Sequence, residues 1–203
     1  MATNAIPEAV TAIVLCGGKG SRLDGQDKPL MTLNGKRLID WICERLEPQV
    51  SDIVISCSRN VGIYEALRHP LAIDKELNLG PLAGLTESFA HVDTEWAFTT
   101  PGDTPFIASD IVERLRTDAE TRGIAVPTVN GVRQNLCLLI DAEHREQLID
   151  FHMRGGNAVK HWLDDAGIRS TDLSSIEDSF LNVNTHEELA IARSRATNEH
   201  DHA

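Results

Sequence analysis

The sequence predicts an α/β protein with a single domain, built on a mostly parallel, doubly wound sheet of the Rossmann-like kind. Short apolar or β-branched runs alternate with segments of helical apolar spacing through about the first 130 of the 203 residues, which is the pattern of successive strand–helix–strand units. Hydrophobic residues make up 41% of the chain, enough to fill one core at this length. No internal repeat and no linker rich in Pro, Gly or Ser divides the sequence, so we expect one domain over residues 1–203.

The elements can be placed along the chain from these patterns. Residues 10–15 are almost continuously apolar, which is typical of a strand buried on both faces. Further strands are predicted at residues 53–55, 71–73, 96–100, 124–126 and 136–140, with a late strand or extended segment at 180–184. Helices are predicted at residues 38–46, 63–67, 81–91, 109–122, 143–152, 158–165 and 185–195, the last begun by a capping box between Thr185 and Glu188. Residues 1–9 and 197–203 are predicted to be loose termini.

The first predicted strand ends in a glycine-rich, cationic loop. Residues 13–28 read IVLCGGKGSRLDGQDK, and such glycines let backbone N–H groups approach an anion while the cations supply charge. Gln26 and Asp27 stand where a Walker A loop requires Lys and Ser or Thr, and Leu23 stands where a dinucleotide loop has its third glycine. The loop is therefore predicted to bind phosphate in a different way, with an ordinary surface turn as the alternative.

The charge pattern favours a small anionic ligand over a nucleic acid. The chain has a net charge of −12, whereas binding to a phosphate backbone requires a basic face. Residues 17–37 depart from this average, because they hold five cations and two anions. A local positive site on an acidic protein is suited to a small anion.

Two carboxylates follow predicted strands. Asp74 comes after the strand at 71–73, and Asp103 stands in Pro101-Gly102-Asp103-Thr104-Pro105 after the strand at 96–100. Ligands of such sheets bind outside the carboxyl ends of the strands, and Mg²⁺ takes one or two carboxylates there. Asp103 is the best candidate for a magnesium ligand, although a turn or helix cap is the alternative for both residues.

The remaining composition indicates a soluble cytoplasmic protein. The four cysteines, Cys16, Cys43, Cys57 and Cys137, form no C-x-x-C pair and are predicted to be buried free thiols. The N-terminus has no signal-peptide pattern, and no apolar run approaches the ~20 residues of a membrane span. The histidines lack the spacing of a metal site.

Several stretches resemble the nucleotidyltransferases that act on molybdopterin. The segment LCGGKGSRLDGQDKPL is similar to that family's signature, L-A-G-G-x-S-x-R-M-G-x-D-K, with Cys16 in place of an alanine and one residue inserted near Asp24-Gly25. The matching residues are Leu15, Gly17, Gly18, Arg22, Asp27 and Lys28. PGDTP at 101–105 matches P-x-D-x-P, GPLAG at 80–84 is typical of the family, and FLNVNTHEEL at 180–189 matches F-x-N-V-N-T-P-E-E-L except at His186. The resemblance extends over nearly the whole chain.

The resemblance implies a sheet of the nucleotidyltransferase type and a reaction. That reaction is the transfer of GMP from GTP to the phosphate of molybdenum-loaded molybdopterin, which forms molybdopterin guanine dinucleotide and releases pyrophosphate with Mg²⁺. Residues from about 10 to 130 would bind the nucleotide, and those from about 131 to 196 would bind molybdopterin. The protein would act as a monomer, with other proteins of molybdenum cofactor biosynthesis and molybdoenzyme chaperones as partners and no nucleic acid or membrane.

The resemblance also implies roles for individual residues. The catalytic residues would be Arg22, which grips phosphate with its planar fork, Lys28 near the α-phosphate, and Asp103, which binds the metal. The nucleotide-binding residues would be Leu15, Cys16, Gly17, Gly18, Lys28, Ser56, Asp74 and Asp103, and the molybdopterin-binding residues Asn182 and Asn184. Ser56 stands where the family has an asparagine, and Leu136 stands where it often has a proline.

Three alternatives stay open. The first is a CTP-dependent enzyme for molybdopterin, but relatives that transfer CMP tend to have Ala-Gly in place of Gly17-Gly18, and the missing Cβ leaves room for a purine. The second is a sugar-phosphate nucleotidyltransferase, against which the motif at 182–188 argues. The third is a nucleotide-binding regulator without catalysis, which would not need Arg22, Lys28 and Asp103 together.

Overall fold

A computed structural model describes residues 9–17, 26–74 and 80–200, and the structural statements below concern these residues. Their eleven strands are, in chain order, β1 (Val10–Leu15), β2 (Thr32–Leu33), β3 (Lys36–Arg37), β4 (Asp52–Cys57), β5 (Leu71–Ile73), β6 (Trp96–Pro101), β7 (Ile124–Ala125), β8 (Pro127–Val129), β9 (Val132–Arg133), β10 (Leu138–Ile140) and β11 (Thr171–Asp172). Their seven α-helices are α1 (Leu38–Leu46), α2 (Val61–Glu65), α3 (Pro81–Ser88), α4 (Ile111–Arg122), α5 (Ala142–Met153), α6 (Val159–Asp165) and α7 (His186–His200). Short 3₁₀ helices cover Lys28–Leu30, Phe89–His91 and Ser174–Phe180.

A six-stranded sheet in the order β5-β4-β1-β6-β10-β7 forms the centre of the fold. β1 pairs in parallel with β4 on one side and with β6 on the other, and β5 continues the parallel part beyond β4. β10 runs antiparallel to both β6 and β7, so it is the reversed strand of this sheet. The predicted mostly parallel sheet is therefore confirmed, and all six residues of β1 are buried.

Helices cover both faces of the sheet, as a doubly wound fold requires. On one face, Ile42 of α1 and Leu115 of α4 belong to one apolar cluster. On the other face, Leu82 of α3, Leu148 of α5 and Leu163 of α6 belong to a second cluster. The alternation of apolar runs and helical segments in the sequence reflects these two layers.

A third apolar cluster attaches α7 to the hairpin formed by β2 and β3. Leu33 of β2 packs in this cluster with Leu189 and Ala196 of α7. Val183 and Phe106 belong to the same cluster. The packing of α7 therefore also holds the segment before this helix against the turn that follows β6.

Two predicted strands differ from the structure at the reversed side of the sheet. The strand predicted at 124–126 leaves the central sheet after Ala125, and β8 then joins a separate sheet in the order β11-β8-β9. The strand predicted at 136–140 begins at Leu138. The backbone carbonyl of Leu136 instead accepts a hydrogen bond from the Thr99 hydroxyl at 2.8 Å, which turns this residue out of the ladder.

The C-terminal region differs most from the predictions. Of the late strand or extended segment predicted at 180–184, the described chain forms no strand: Phe180 ends a 3₁₀ helix, Leu181 is extended, and Val183 hydrogen-bonds to the turn after β6. α7 continues to His200, beyond its predicted end at residue 195. Ala196 is only 1% exposed, and its burial accounts for the added turn. The prediction of a loose terminus is therefore wrong for residues 197–200, while 1–8 and 201–203 lie outside the described residues.

The four cysteines are buried and free, as predicted. Burial raises the pKa of the Cys57 thiol to about 11 and that of Cys43 to about 12. These thiols therefore remain protonated near neutral pH.

The described residues expose few large apolar side chains. No helix there is long and apolar enough to cross a membrane. The large apolar residues that are exposed lie on five different elements, and they are Ile63, Ile73, Val132, Met153 and Ile191. Scattered exposed residues of this kind are ordinary for a protein surface.

The turn after β6 is packed tightly onto the end of β1. The N–H of Gly102 donates to the carbonyl oxygen of Leu15 at 2.9 Å. A Cβ at Gly102 would lie 2.8 Å from Cγ of Pro29 and 2.9 Å from Sγ of Cys16. Glycine is required here because the turn and the end of β1 leave no room for a side chain.

Gly102→Ala should lower the free energy of unfolding by about 1–3 kcal/mol, because the new methyl group overpacks this contact. Gly62→Ala is the control, since a Cβ at that helical position would meet no atom within 4 Å. It should instead stabilise the protein by about 0.5–1 kcal/mol through helix propensity. Urea denaturation of both variants measures the difference, and equal midpoints would contradict this account of the turn.

Candidate active site

A cavity of about 840 Å³ lies outside the carboxyl ends of the parallel strands. The site residues predicted from the sequence that fall in the described chain all line it, and they are Leu15, Cys16, Gly17, Lys28, Ser56, Asp74, Asp103, Asn182 and Asn184. Gly18 and Arg22 lie outside the described residues. The chain thus gathers groups from both of its halves at one edge of the sheet, where ligands of such folds bind.

At the end of β1, main-chain groups hold the neighbouring strands. The N–H of Cys16 donates to the carbonyl oxygen of Ser56 at 2.7 Å. The Cys16 side chain is 2% exposed, and burial, assisted by the nearby Asp27 carboxylate, raises the pKa of its thiol well above the ordinary value. Cys16 is therefore unsuited to act as a nucleophile. Gly17 is exposed, and a Cβ there would meet no atom within 4 Å.

Lys28 and Asp103 face each other across the cavity wall. Lys28 Nζ lies 3.6 Å from Asp103 Oδ2 and donates to Asn184 Oδ1 at 2.5 Å. Burial raises the pKa of the Asp103 carboxyl, and the charge of Lys28 opposes that rise. The free protein therefore holds a cation and a carboxylate in contact, both only about one-fifth exposed.

The segment containing Asn182 and Asn184 is joined to the turn that carries Asp103. The N–H of Val183 donates to the backbone carbonyl of Asp103 at 2.8 Å, and the Thr104 hydroxyl donates to Asn182 Oδ1 at 2.8 Å. Both asparagine side-chain oxygens are thus engaged. The amide NH₂ groups, which make no hydrogen bond to the described residues, are left to bind a ligand.

The start of α7 fixes Asn184 in a way that corrects the predicted capping box. The N–H of Glu188 donates to Thr185 Oγ1 at 3.2 Å, as predicted. The Glu188 carboxylate, however, accepts from the N–H of Asn184 at 2.7 Å and from the Thr185 hydroxyl at 3.2 Å, rather than from the Thr185 N–H. The Glu188 side chain thus reaches one residue beyond the Thr185 N–H and ties the backbone of Asn184 to the start of α7.

The loop after β4 holds the residue that precedes Lys28. The Asn60 side chain donates to Asp27 Oδ2 at 2.8 Å, Arg59 Nε lies 3.7 Å from the same oxygen, and Arg59 Nη2 donates to the Gln26 carbonyl at 2.9 Å. Asn60 has a φ of 52°, a left-handed conformation that asparagine tolerates better than most residues. The contacts fix the backbone immediately before Lys28.

Arg59 was missed by sequence reasoning, although it also lines the cavity. It follows β4 directly, three positions after Ser56. The rule that placed Asp74 and Asp103 at the carboxyl ends of strands would have reached Arg59 if it had been applied to the loop after β4.

The first turn of α3 closes the cavity beside β4 and β5. Pro81 stands at the first helical position, as predicted. A Cβ at Gly84 would lie 2.8 Å from Ser56 Oγ and 3.4 Å from Asp74 Oδ2. The absence of a side chain at Gly84 therefore lets the helix approach both polar side chains closely.

Arg133 of β9 also lines the cavity, as do Leu136 and Phe180. Arg133 Nε donates to Asn135 Oδ1 at 2.9 Å, and its guanidinium also pairs with the Asp164 carboxylate. Arg133 thus adds a cation to the lining from a part of the chain that is distant in sequence from Lys28.

The donor set fits a divalent cation that arrives with phosphate. The described residues contain no group of three or more His, Cys, Asp or Glu side chains suited to a metal. Mg²⁺ commonly takes one or two carboxylates and fills its other positions with phosphate and water. Asp103 offers one buried carboxylate of this type, and a cation there would relieve the cost of its ionisation.

Comparison with known proteins gives consistent results. Residues 12–170 match the family model of the MobA-like NTP transferase domain. The chain is 33% identical over 177 residues to a molybdenum cofactor guanylyltransferase of Yersinia pestis, which covers 87% of this chain and 91% of that relative.

Two solved structures show the same fold. The molybdopterin-guanine dinucleotide biosynthesis protein A of Archaeoglobus fulgidus has a TM-score of 0.76 at 21% identity, covering 93% of this chain and 99% of its own. A Mycobacterium tuberculosis protein in complex with manganese has a TM-score of 0.70 at 13% identity, covering 92% and 98%. They support the α/β architecture described above.

Asp103→Asn should change how stability depends on pH. Burial raises the pKa of the Asp103 carboxyl above 3.8, so between pH 3.8 and the raised pKa the native chain keeps a proton that the unfolded chain has lost. The free energy of unfolding contributed by this group therefore falls as pH rises through that window, and the variant should lack this fall. Thermal unfolding across the window measures it, with the exposed Asp165→Asn as control. If the stability of Asp103→Asn depended on pH in the same way as that of the wild type, the raised pKa of Asp103 would be contradicted.

Proposed function

The chain belongs to the family of MobA-like NTP transferases, and on that premise we propose that it transfers GMP from GTP to the phosphate of molybdenum-loaded molybdopterin. The products are molybdopterin guanine dinucleotide and pyrophosphate. The observation that carries the proposal is the cavity in which Lys28 contacts both Asp103 and Asn184. The curated relative from Yersinia pestis, named a molybdenum cofactor guanylyltransferase, supports the choice of reaction.

The reaction requires positioning and charge stabilisation rather than a protein nucleophile. An oxygen of the acceptor phosphate attacks the α-phosphorus of GTP and forms a new P–O bond. The bond between the α-phosphorus and the α–β bridging oxygen breaks, and pyrophosphate leaves with the bonding electrons. The protonated, buried thiol of Cys16 agrees with such a direct displacement.

Lys28 is proposed to stabilise the charge that develops around the α-phosphate. In the free protein its ammonium group is held by Asp103 and Asn184, so it is oriented before substrate binds. Preorganised charges of this kind stabilise a transition state without reorganisation at the moment of reaction. We also assign phosphate binding to Gly18 and Arg22, on the signature alone.

Asp103 is proposed to hold the divalent cation, which we take to be Mg²⁺. When bound, the cation would neutralise charge on the phosphates of GTP. The buried carboxylate at the cavity wall supports this role, as does the manganese complex of a protein with the same fold. Asp103 would at the same time remain the partner that orients Lys28.

The remaining residues divide between the two substrates. Leu15, Cys16 and Gly17, together with Ser56 and Asp74, are proposed to bind the nucleotide from β1, β4 and β5. Asn182 and Asn184 are proposed to bind molybdopterin through their available amide NH₂ groups. This assigns residues from about 10 to 130 to GTP and those from about 131 to 196 to the acceptor within one domain.

We further infer that the protein works as a monomer in the cytoplasm with other molybdenum cofactor biosynthesis proteins and molybdoenzyme chaperones. The dispersal of its exposed apolar side chains over separate elements supports a monomer. Its four free, buried cysteines suit a reducing compartment.

Pyrophosphate release should occur with GTP and not with CTP, ATP or UTP when molybdenum-loaded molybdopterin and Mg²⁺ are supplied. Asp103→Ala should reduce the rate about a hundredfold or more, because an electrostatic contact of the transition state is lost. Asp165→Ala, which removes an exposed carboxylate, should retain the wild-type rate.

Two outcomes would change the proposal. Release with CTP would overturn the assignment of the base but keep the mechanism. No release with any nucleotide, despite measurable binding of GTP, would indicate a different acceptor or a regulator.

Gly17→Ala should weaken the use of GTP more than that of CTP. The added methyl group meets no protein atom within 4 Å, so its effect should fall on the ligand. We expect kcat/KM for GTP to drop about tenfold, the order of magnitude for one methyl group in a specificity pocket. Gly62→Ala serves as the remote control, and an unchanged ratio of GTP to CTP use would exclude a role of Gly17 in base selection.

A further inference from the structure

Two neighbouring threonines at the end of β6 differ in their hydrogen bonds. Thr99 and Thr100 are both fully buried, each with an exposed fraction of 0%. The Thr99 hydroxyl donates to the carbonyl oxygen of Leu136 at 2.8 Å and accepts from the N–H of Leu138 at 3.2 Å. The Thr100 hydroxyl has no hydrogen-bond partner in the described part of the chain.

A hydroxyl in this state destabilises the free protein. It has lost its hydrogen bonds to water without gaining any from the residues that the structure describes. Buried polar groups in folded proteins nearly always find a partner. The exception at Thr100 therefore points to a partner that binds from outside the chain.

The place of Thr100 identifies where such a partner would lie. Thr100 lines the same cavity as Asp103, which follows it by three positions in the chain. It pairs with Val14 in the register of β1 and β6, so its side chain lies on the sheet face of Val14, Cys137 and Phe180. Thr99 points to the opposite face, where its hydroxyl braces β10.

The order of the strands places Thr100 between the nucleotide side and the reversed side of the sheet. The residues proposed to bind GTP lie at the ends of β1, β4 and β5, on one side of β6. On the other side β6 is joined to β10, which follows the loop from Arg133 to Cys137. Thr100 thus lies between the β1 side and the β10 side of the central sheet, on the sheet face that it shares with Phe180.

We propose that the Thr100 hydroxyl binds the acceptor substrate by donating a hydrogen bond to an oxygen of its phosphate. The assignment rests on the proposed function, because it names the attacking partner in that reaction. A hydroxyl fits this task, since it orients a phosphate oxygen without the charge neutralisation that a cation would bring. Thr100 transfers no proton: the acceptor oxygen forms the new bond to the α-phosphorus, and pyrophosphate leaves as described above.

Thr100→Val tests the proposal, because it removes the hydroxyl and keeps the shape of the side chain. The acceptor KM should rise about tenfold to a hundredfold, the order expected for the loss of one hydrogen bond to a charged group. The KM for GTP should stay at the wild-type value, because the substitution leaves the contacts proposed for GTP intact. Thr100→Ser, which keeps the hydroxyl, should restore acceptor binding. Pyrophosphate release at varied molybdopterin and saturating GTP gives the acceptor KM, and release at varied GTP and saturating molybdopterin gives the KM for GTP.

Thermal unfolding of the free protein supplies a second readout that needs no substrate. Thr100→Val should melt at the wild-type temperature or above it, since the hydroxyl that it removes is unpaired. Thr99→Val is the matched control on the same strand, and it should melt at a lower temperature because it deprives Leu138 and Leu136 of a partner.

The outcomes separate this assignment from the proposed function. If the wild type releases no pyrophosphate with GTP and molybdopterin, the proposed function fails. If the wild type is active but Thr100→Val has the wild-type acceptor KM, the role of Thr100 alone is overturned. A loss of thermal stability in Thr100→Val equal to that in Thr99→Val would likewise overturn it, because the hydroxyl would then have a structural partner.

Discussion

Two main-chain hydrogen bonds at the carboxyl end of β1 determine the shape of the cavity. The N–H of Cys16 donates to the Ser56 carbonyl, and the Leu15 carbonyl accepts from the N–H of Gly102. The first bond fixes the end of β4, and the second fixes the turn that presents Asp103. Both bonds start from the end of β1. They therefore fix the end of β4, on the nucleotide side of the cavity, relative to the turn that carries Asp103, on the metal side. This arrangement requires a glycine at residue 102, because a side chain there would collide with Pro29 and Cys16.

The charges around the cavity are arranged as pairs. Lys28 contacts Asp103, Arg59 lies beside Asp27, and Arg133 contacts Asp164. Lys28, one of the cations near the glycine-rich loop, is therefore partly neutralised in the free protein. Each pair keeps a long side chain in place, and an incoming triphosphate competes with the paired carboxylate for the cation. The charge of Lys28 thus serves to orient its side chain as well as to attract an anion.

The sequence predicted the central sheet and most of the site for physical reasons that can be named. Apolar runs mark strands covered on both faces, and the rule for strand ends brought the loop after Leu15, Asp74 and Asp103 to one edge. The segment with Asn182 and Asn184 was found only by resemblance, because its place depends on long-range bonds to Asp103 and Thr104.

Other features had weak signals or none. The strands of the small sheet β11-β8-β9 have two or three residues each, too few for a periodic pattern to show. The contact of Asn60 with Asp27 joins two loops, which no local pattern encodes. The length of α7 did have a signal, since Leu189, Ala192 and Ala196 follow helical spacing.

Two unfavourable features of the free protein lie at the cavity. Asp103 is a carboxylate whose ionisation is opposed by burial, and the Thr100 hydroxyl has no hydrogen-bond partner among the described residues. Such features are not confined to the site, because Arg145, whose pKa is lowered and whose Nη1 also lacks a partner among those residues, lies outside the cavity lining. Burial without a partner is therefore insufficient to identify a functional group. Thr100 differs from Arg145 because it lines the cavity in which the other site residues meet, so a bound substrate can supply the missing partner.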